Sequence, residues 1–180
     1  TQTARAPVGG ASPRPSPKPS QRATTAPPPA VAQTLHPASI EAFGPSGPGQ
    51  GDNQQFAAQA IDGRPRTSWQ SDWYSTSHFG SLQSGTGLLL DMGATLTITS
   101  AEITLPATPG SGLQLRAGSS PSLAALPPVA HANNAAGIVR LHFSSPVHAR
   151  YLLVWFTTLP PDSTGTYQAK VYNIALQGTR

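Results

Sequence analysis

Apolar residues in the second half of the chain alternate with polar ones, and this period of two constrains the fold more than any other feature. The alternation runs through residues 101–105, 113–117, 139–143 and 172–176. Successive side chains of a strand point to opposite faces, whereas an amphipathic helix repeats its apolar residues every three or four positions. The pattern therefore predicts antiparallel strands that each place one face in a core.

Two continuous apolar runs, residues 88–90 and 151–156, predict strands that are buried on both faces. Neither run approaches the roughly 20 apolar residues that a membrane-spanning helix needs. Turn signals such as Pro109-Gly110 and Asn133-Asn134 separate the runs, and a single helical turn is expected around residues 55–60. Roughly seven or eight short strands with so little helix predict an all-β sandwich.

The first 38 residues differ from the rest in composition and charge. They are rich in proline, alanine, serine and threonine, and they contain four basic residues and no acidic one. Such a segment buries too little apolar surface to offset its ordering entropy, so residues 1–38 are predicted to be a disordered basic linker. Residues 39–180 then form one domain with equal numbers of acidic and basic residues. Nucleic-acid binding needs a basic face on the folded part, and none is predicted.

Several kinds of chemistry are excluded or unsupported. The chain has no cysteine, which excludes disulfides, zinc–thiolate sites and a cysteine nucleophile. Its seven acidic residues are scattered and mostly lie at turns, so no pair suited to glycoside hydrolysis stands out. The Gly-x-Ser-x-Gly elbow and the phosphate-binding loop are also absent from the sequence. We therefore expect a protein that is not an enzyme.

One polar stretch, residues 70–79, carries the candidate ligand-binding residues. Trp73 and Tyr74 lie there beside Asp72, Gln70 and His78. Sugar sites combine an aromatic platform with a few hydrogen-bonding groups, and this segment offers both. The alternative is that the rings seal the edge of the core beneath a long loop, and the sequence leaves both interpretations open.

Five short motifs follow one another through the domain: Ala57-x-x-Ala60-Ile61-Asp62-Gly63, Thr67-Ser68-Trp69, Gly87-Leu88-Leu89-Leu90-Asp91-Met92-Gly93, Ala149-Arg150-Tyr151-Leu152 and Ile174-Ala175-Leu176-Gln177-Gly178. In this order they resemble the discoidin, or coagulation-factor type C, family. That resemblance implies a jelly-roll β-sandwich of the galactose-binding-like kind over about residues 39–178. The family includes many carbohydrate-binding modules, whose ligands meet the loops at one end of the sandwich.

The same resemblance raises the question of a calcium ion, which many family members hold in the loop equivalent to residues 62–67. Asp62 and Thr67 match the family ligands, but Asn173 stands where the family has a glutamate. Arg64 and Arg66 add two positive charges to the loop, and these oppose a divalent cation. We expect no cofactor, with calcium kept as the alternative.

Residues 57–74, together with the proline-rich lead, are similar to the extracytoplasmic C-terminal domain of the actinobacterial MviN family of lipid II flippase homologues. This resemblance implies an extracytoplasmic module of a membrane protein of peptidoglycan precursor export, tethered through a segment outside this chain. Its expected partner is a cell-wall saccharide or peptidoglycan fragment. The alternative is a docking or structural module that contacts wall-synthesis proteins and binds no sugar.

Overall fold

The computed structural model describes residues 2–5, 7–19, 28 and 31–180. Those before residue 33 are exposed and belong to no helix or strand. The predicted disorder of residues 1, 6, 20–27, 29 and 30 lies outside the described residues. Within the described part, no helix has the length and apolar character that crossing a membrane would require.

Strands dominate the described part of the chain. They are β1 (Gln33–Leu35), β2 (Ser39–Gly44), β3 (Gly47–Pro48), β4 (Trp69–Gln70), β5 (Thr86–Thr104), β6 (Ser111–Gly118), β7 (Pro128–Ala135), β8 (Ile138–Thr158), β9 (Lys170–Val171) and β10 (Asn173–Thr179). Three short 3₁₀ helices span Gln54–Ala60, Phe79–Ser81 and Leu123–Ala125. The first of them occupies the position where the sequence predicts a helical turn.

Two long strands, β5 and β8, run through both layers of a sandwich. The first part of β5 pairs with β2 and its second part with β10. β8 pairs with β5 along most of its length, with two interruptions, and its last part also pairs with β6. One layer has the order β2–β5–β8–β6–β7 and the other β1–β10–β5–β8, and all neighbours are antiparallel. The predicted all-β sandwich is confirmed, although its longest strands are continuous through the bend instead of short.

The bend of both strands is held by one ion pair. In β5 the pairing with β8 is interrupted between Asp91 and Leu96, and Gly93 adopts the left-handed conformation with φ 79°. The Asp91 carboxylate accepts a hydrogen bond from the Gly93 amide at 2.7 Å and binds Arg150 through two nitrogens at 2.9 and 3.1 Å. A bidentate pair of this kind fixes direction as well as distance.

The core lies on both sides of the layer that contains residues 151–156, as the continuous apolar run predicts. Leu152, Val154 and Phe156 face the main core between the layers. Leu153 and Trp155 face a smaller cluster on the outer side of that layer. The predicted burial of Trp155 is confirmed, but its ring packs in the outer cluster and not in the main core between the layers.

The first strand of the sandwich begins before residue 39, where the sequence places the start of the domain. Residues 33–35, assigned to the linker, form β1 beside β10, with Gln33 opposite Gly178 and Leu35 only 2% exposed. The long connections of residues 45–85, 105–110 and 159–169 gather at one end of the sandwich, called here the loop end. β1 begins at the opposite end, because Gln33 pairs near the finish of β10, which starts at the loop end.

Candidate functional site

A β-bulge sets the direction of the side chains in the candidate segment. Gln70 pairs with Lys170 in the β4–β9 ladder, and further along Tyr74 pairs with Tyr167. Three residues (71–73) lie between Gln70 and Tyr74, but only two (168 and 169) lie between Tyr167 and Lys170. The extra residue is accommodated at positions 72–73, and an insertion of this kind reverses the alternation of faces beyond it.

Because of the bulge, two adjacent aromatic residues point in opposite directions. Trp69 and Ser71 are fully buried, so simple alternation would bury Trp73 as well. Instead Tyr74 is buried, at 7% exposure, with its ring edge-to-face against Phe79 at 5.3 Å. Trp73 is 68% exposed. The two interpretations that the sequence leaves open thus apply to different rings: Tyr74 packs at the edge of the core, and the Trp73 indole is exposed.

Asp52, which the sequence reasoning missed, holds this arrangement in place. Its Oδ2 accepts hydrogen bonds from the Asp72 amide at 3.1 Å and from the Tyr74 hydroxyl at 2.8 Å. Its carbonyl oxygen accepts a bond from Trp69 Nε1 at 2.8 Å. Burial, with the Asp52 hydrogen bond as the next contribution, raises the pKa of Tyr74 above its ordinary value, so the hydroxyl stays a donor.

The other three candidate residues of this segment, Asp72, Gln70 and His78, differ in their position relative to the Trp73 indole. Asp72 is exposed beside the indole, and partial burial together with the charge of Asp52 raises the pKa of its carboxyl group. Gln70 stands directly across from Lys170 on the outward face of the β4–β9 ladder. His78 is exposed and its Nδ1 lies 3.1 Å from the Ser77 hydroxyl, outside the cavity that Trp73 lines.

Trp73 lines one side of a cavity of about 340 Å³, called here the Trp73 cavity. The loop of residues 162–168 forms the other side and contributes hydroxyl, amide and carboxylate groups. The Gln168 side chain fastens this loop to the bulge by donating a hydrogen bond to the Ser71 carbonyl at 2.7 Å. In the sequence, Pro160-Pro161-Asp162 predicts a turn at the start of this loop, and no motif in the loop indicates a site.

Asp162 organises that loop from within. Its Oδ1 accepts hydrogen bonds from the Thr164 amide at 2.8 Å, the Thr164 hydroxyl at 2.7 Å and the Thr166 amide at 3.1 Å. Its Oδ2 accepts the Thr166 hydroxyl. The hydroxyl of Thr166, followed by that of Thr164, lowers the pKa of Asp162 to about 2. The loop is therefore ordered before any ligand arrives, and its carboxylate is ionised at neutral pH.

The chemistry that this cavity offers is stacking and hydrogen bonding. An exposed indole presents a flat apolar face, and the opposite wall carries hydroxyls that both donate and accept. The Asp162 carboxylate in this lining accepts the hydroxyls of Thr164 and Thr166, and the lining contains no histidine, lysine or cysteine.

The loop of residues 62–67 is satisfied by its own hydrogen bonds. Asp62 Oδ1 accepts the Arg64 amide at 2.9 Å, and Oδ2 accepts the Thr67 hydroxyl at 2.6 Å. The hydrogen bond from Thr67, followed by that from the Arg64 amide, lowers the pKa of Asp62. Asn173 lies beside residues 63–65 at the start of β10.

This donor set does not fit calcium. One carboxylate, already occupied by two donors, and one neutral amide face a loop that contains arginine, whereas calcium takes six to eight oxygen ligands. Within residues 31–180 and the described tail, no group of three or more His, Asp or Glu residues could hold a metal ion.

Comparison with solved structures identifies the fold. No family model matches the sequence. The family 32 carbohydrate-binding module (CBM32) of AlyQ in complex with 4,5-unsaturated mannuronic acid has a TM-score of 0.58 and 17% identity over 80% of this chain and 97% of that one. The family 32 module of C. perfringens NanJ in complex with galactose has a TM-score of 0.55 and 18% identity over 82% and 99%.

A chitosan-binding module of a chitosanase/glucanase from Paenibacillus sp. IK-5 has a TM-score of 0.55 and 16% identity over 80% of this chain and 96% of that one. The chain spans only 34% of a truncated AlyQ that contains CBM32 and alginate lyase domains. The structural neighbours are therefore family 32, discoidin-like galactose-binding modules. At these identities the likeness establishes the jelly-roll sandwich fold that the sequence predicts.

Proposed function

We propose that this domain is a non-catalytic carbohydrate-binding module in which Trp73 stacks on a sugar ring. The observation that carries the proposal is the indole, 68% exposed and held outward by a bulge over an ordered polar loop. Aromatic rings and a few fixed polar groups are what sugar recognition requires. Solved modules of this fold in complex with galactose or with an unsaturated mannuronic acid support the proposal.

We also propose a cell-wall saccharide as the ligand and an extracytoplasmic location in a membrane protein of peptidoglycan precursor export. The support is the resemblance of residues 57–74, with their proline-rich lead, to the MviN family. The basic linker would separate the domain from the membrane and let it reach the wall.

An NMR titration of the ¹⁵N-labelled chain with soluble muropeptides and simple hexoses tests the proposal. We expect shifts on residues 70–79 and 162–168, with or without calcium. Trp73→Ala should abolish them and leave the urea unfolding midpoint nearly unchanged, because the indole packs little surface into the core. A large loss of stability in Trp73→Ala would contradict the assignment of this ring to a site.

Leu82→Ala is the matched control. Leu82 is 82% exposed in the same long connection, but it does not line the Trp73 cavity. The variant removes an exposed apolar side chain without touching the stacking surface. Glycan affinity should therefore stay the same, and an equal loss in both variants would indicate a non-specific apolar effect.

One observation favours a second candidate, the docking of a wall-synthesis protein. Trp73 and Leu82 are both large, apolar and exposed in the connection between β4 and β5. Contiguous exposed apolar surface is typical of protein contacts, and these two side chains lie in the same connection of the chain. Absence of any shift at millimolar glycan would favour this candidate over the first.

A further inference from the structure

The Trp73 cavity is one part of a longer depression across the loop end. A second cavity of about 370 Å³ shares Asp162, Ser163 and Gln168 with it. A third, of about 280 Å³, shares Tyr172 with the second. Because each cavity shares lining residues with the next, the three lie side by side across the loop end, and together they are called here the extended groove.

We propose that the extended groove binds a linear oligosaccharide that carries an anionic group. One neutral ring stacks on Trp73, and the chain continues across Tyr172. Lys170 and Arg64 bind a carboxylate at that far end. This inference rests on the proposed function and adds to it the length and the charge of the ligand.

The length of the groove favours an oligosaccharide over a single sugar. Each cavity alone is at the lower end of the roughly 300–1,000 Å³ that small-molecule sites occupy. The middle cavity is lined by Lys170 of the β4–β9 ladder and by the nearby Tyr172. Along this strand Val171 is fully buried, while Lys170 and Tyr172 face the groove.

The charge of the far end favours an anion. The Lys170 ammonium lies 5.4 Å from the centre of the Tyr172 ring, and this stacking holds the charge over the groove. Arg64 lines the third cavity from the loop that Asp62 orders. In the described part of the chain the ion pairs are Arg140–Glu102 and Arg150–Asp91, so no carboxylate neutralises Lys170 or Arg64 at contact distance.

Two carboxylates lie near these cations: Asp62 in the loop of Arg64, where it accepts the Arg64 amide at 2.9 Å, and Asp162 in the wall of the groove. The carboxylate oxygens of Asp162 accept four hydrogen bonds from Thr164 and Thr166, and these bonds orient the carboxylate towards its own loop. Lys170 and Arg64 are the cationic side chains that line the three cavities, and both lie at the Tyr172 end, whereas the ionised Asp162 lies towards Trp73. A guanidinium and an ammonium are the groups that proteins use to bind carboxylates.

Binding of the full chain to a glycan array tests the inference. The array carries one to four sugar units, neutral ones beside uronate- and muramate-containing ones with the same linkages. We expect acidic glycans of three or more units to bind more tightly than their neutral counterparts and than any single sugar. The preference should shrink at high salt, because exposed charges are screened.

Lys170→Met and Arg64→Gln should each lower affinity for acidic glycans about two- to fivefold and leave neutral glycans unaffected. Lys170→Met keeps an apolar side chain over Tyr172, so the packing is retained. Arg66→Gln is the matched control, because Arg66 is an exposed arginine of the same loop that lines none of the three cavities. It should leave the preference unchanged, and all three variants should melt as the parent does.

The outcomes separate the two proposals. Equal binding of acidic and neutral glycans, no gain with length, or an equal effect of Arg66→Gln would overturn the extended groove. Trp73-dependent binding would then still support the proposed function. If no glycan binds, both proposals fail.

Discussion

Tyr74 and Trp73 are neighbours in the chain, but they carry out different tasks in the site. The Tyr74 hydroxyl lies beneath the loop, where it donates to Asp52 at 2.8 Å and accepts from Gln83. Among the described residues Trp73 has no side-chain hydrogen-bond partner, and its indole is 68% exposed. Substitutions at the two positions should therefore separate stability from binding.

Tyr74→Phe should lower the free energy of unfolding by about 1–2 kcal/mol, because it leaves two partly buried groups without their partner. The ring packing on Phe79 is retained, so glycan binding should persist. Urea denaturation measures the change. Tyr151→Phe is the control, since this hydroxyl makes no hydrogen bond among the described residues; equal effects in both variants would refute the role of the Tyr74 hydroxyl.

Asp162 makes the stability of the protein depend on pH in the acidic range. Its pKa in the folded state, about 2, is below the ordinary 3.8 because Thr166 and Thr164 donate to the ionised form. A lowered pKa stabilises the fold fully above about pH 4, and this contribution is lost as pH falls towards 2. Melting temperatures of Asp162→Asn should fall less steeply than those of the parent across that interval.

The pKa of Asp72 is shifted upward, in the opposite direction to that of Asp162. Partial burial and the charge of Asp52 raise its pKa, so ionisation of Asp72 opposes folding. Asp72→Asn should therefore raise the melting temperature at neutral pH and lose that advantage in acid. Parallel curves for Asp72→Asn and Asp162→Asn would contradict both assignments.

At the scale of elements, the bulge between β4 and β9 decides which aromatic ring faces solvent. Its extra residue leaves the Ser71 carbonyl beside the Gln168 side chain, which donates to it at 2.7 Å. Gln168→Leu should cost about 1 kcal/mol of unfolding free energy and increase amide exchange at residues 72–74. It should also weaken glycan binding, because the loop of residues 162–168 is no longer attached to the bulge that carries Trp73.

Gln177→Leu is the control for this variant. Its amide donates to Thr34 at 3.2 Å on the exposed edge of the sandwich, far along β10 from the loop end. Stability and exchange near Trp73 should change little. A comparable opening of residues 72–74 would show that the effect is not specific to the bulge.

The sequence predicts the faces of strands well and the bulge not at all, for a physical reason. Residues 152–156 are buried on both faces of their strand because all of them are apolar, which the sequence shows directly. Whether Trp73 or Tyr74 turns inward depends on the register with Tyr167, a residue distant in the chain. Asp52 escaped notice for the same reason, because its partners at positions 69, 72 and 74 are brought to it only by the fold.

For the whole molecule, the position of β1 predicts where the folding unit begins. A chain of residues 31–180 retains the buried Leu35 side chain and the three pairs with β10, whereas residues 36–180 lose both. We expect the shorter chain to be less stable by at least about 1.5–3 kcal/mol, the value of one buried leucine. Equal melting temperatures would place β1 outside the cooperative unit.

The bend at residues 92–95 shows how a short local signal determines the layered architecture. The sequence marks Met92-Gly93 as a turn between two strands, and the chain does reverse there from one layer to the other. The two apolar stretches on either side are thereby placed face to face in one core. Continuity of β5 through the bend could not be predicted, because it depends on the parallel bend of β8 at Arg150.

The opposite placement of β1 and the loop end has a mechanical consequence. A ligand fixed in the wall would pull on the loops, and the linker would pull on Gln33 from the other end of the sandwich. The tension would run along the strands, across β1–β10 hydrogen bonds that lie perpendicular to it. All three residue pairs would then resist together, whereas a pull from one end would separate them one at a time. Under the proposed function, the domain would bear load between the linker and the extended groove.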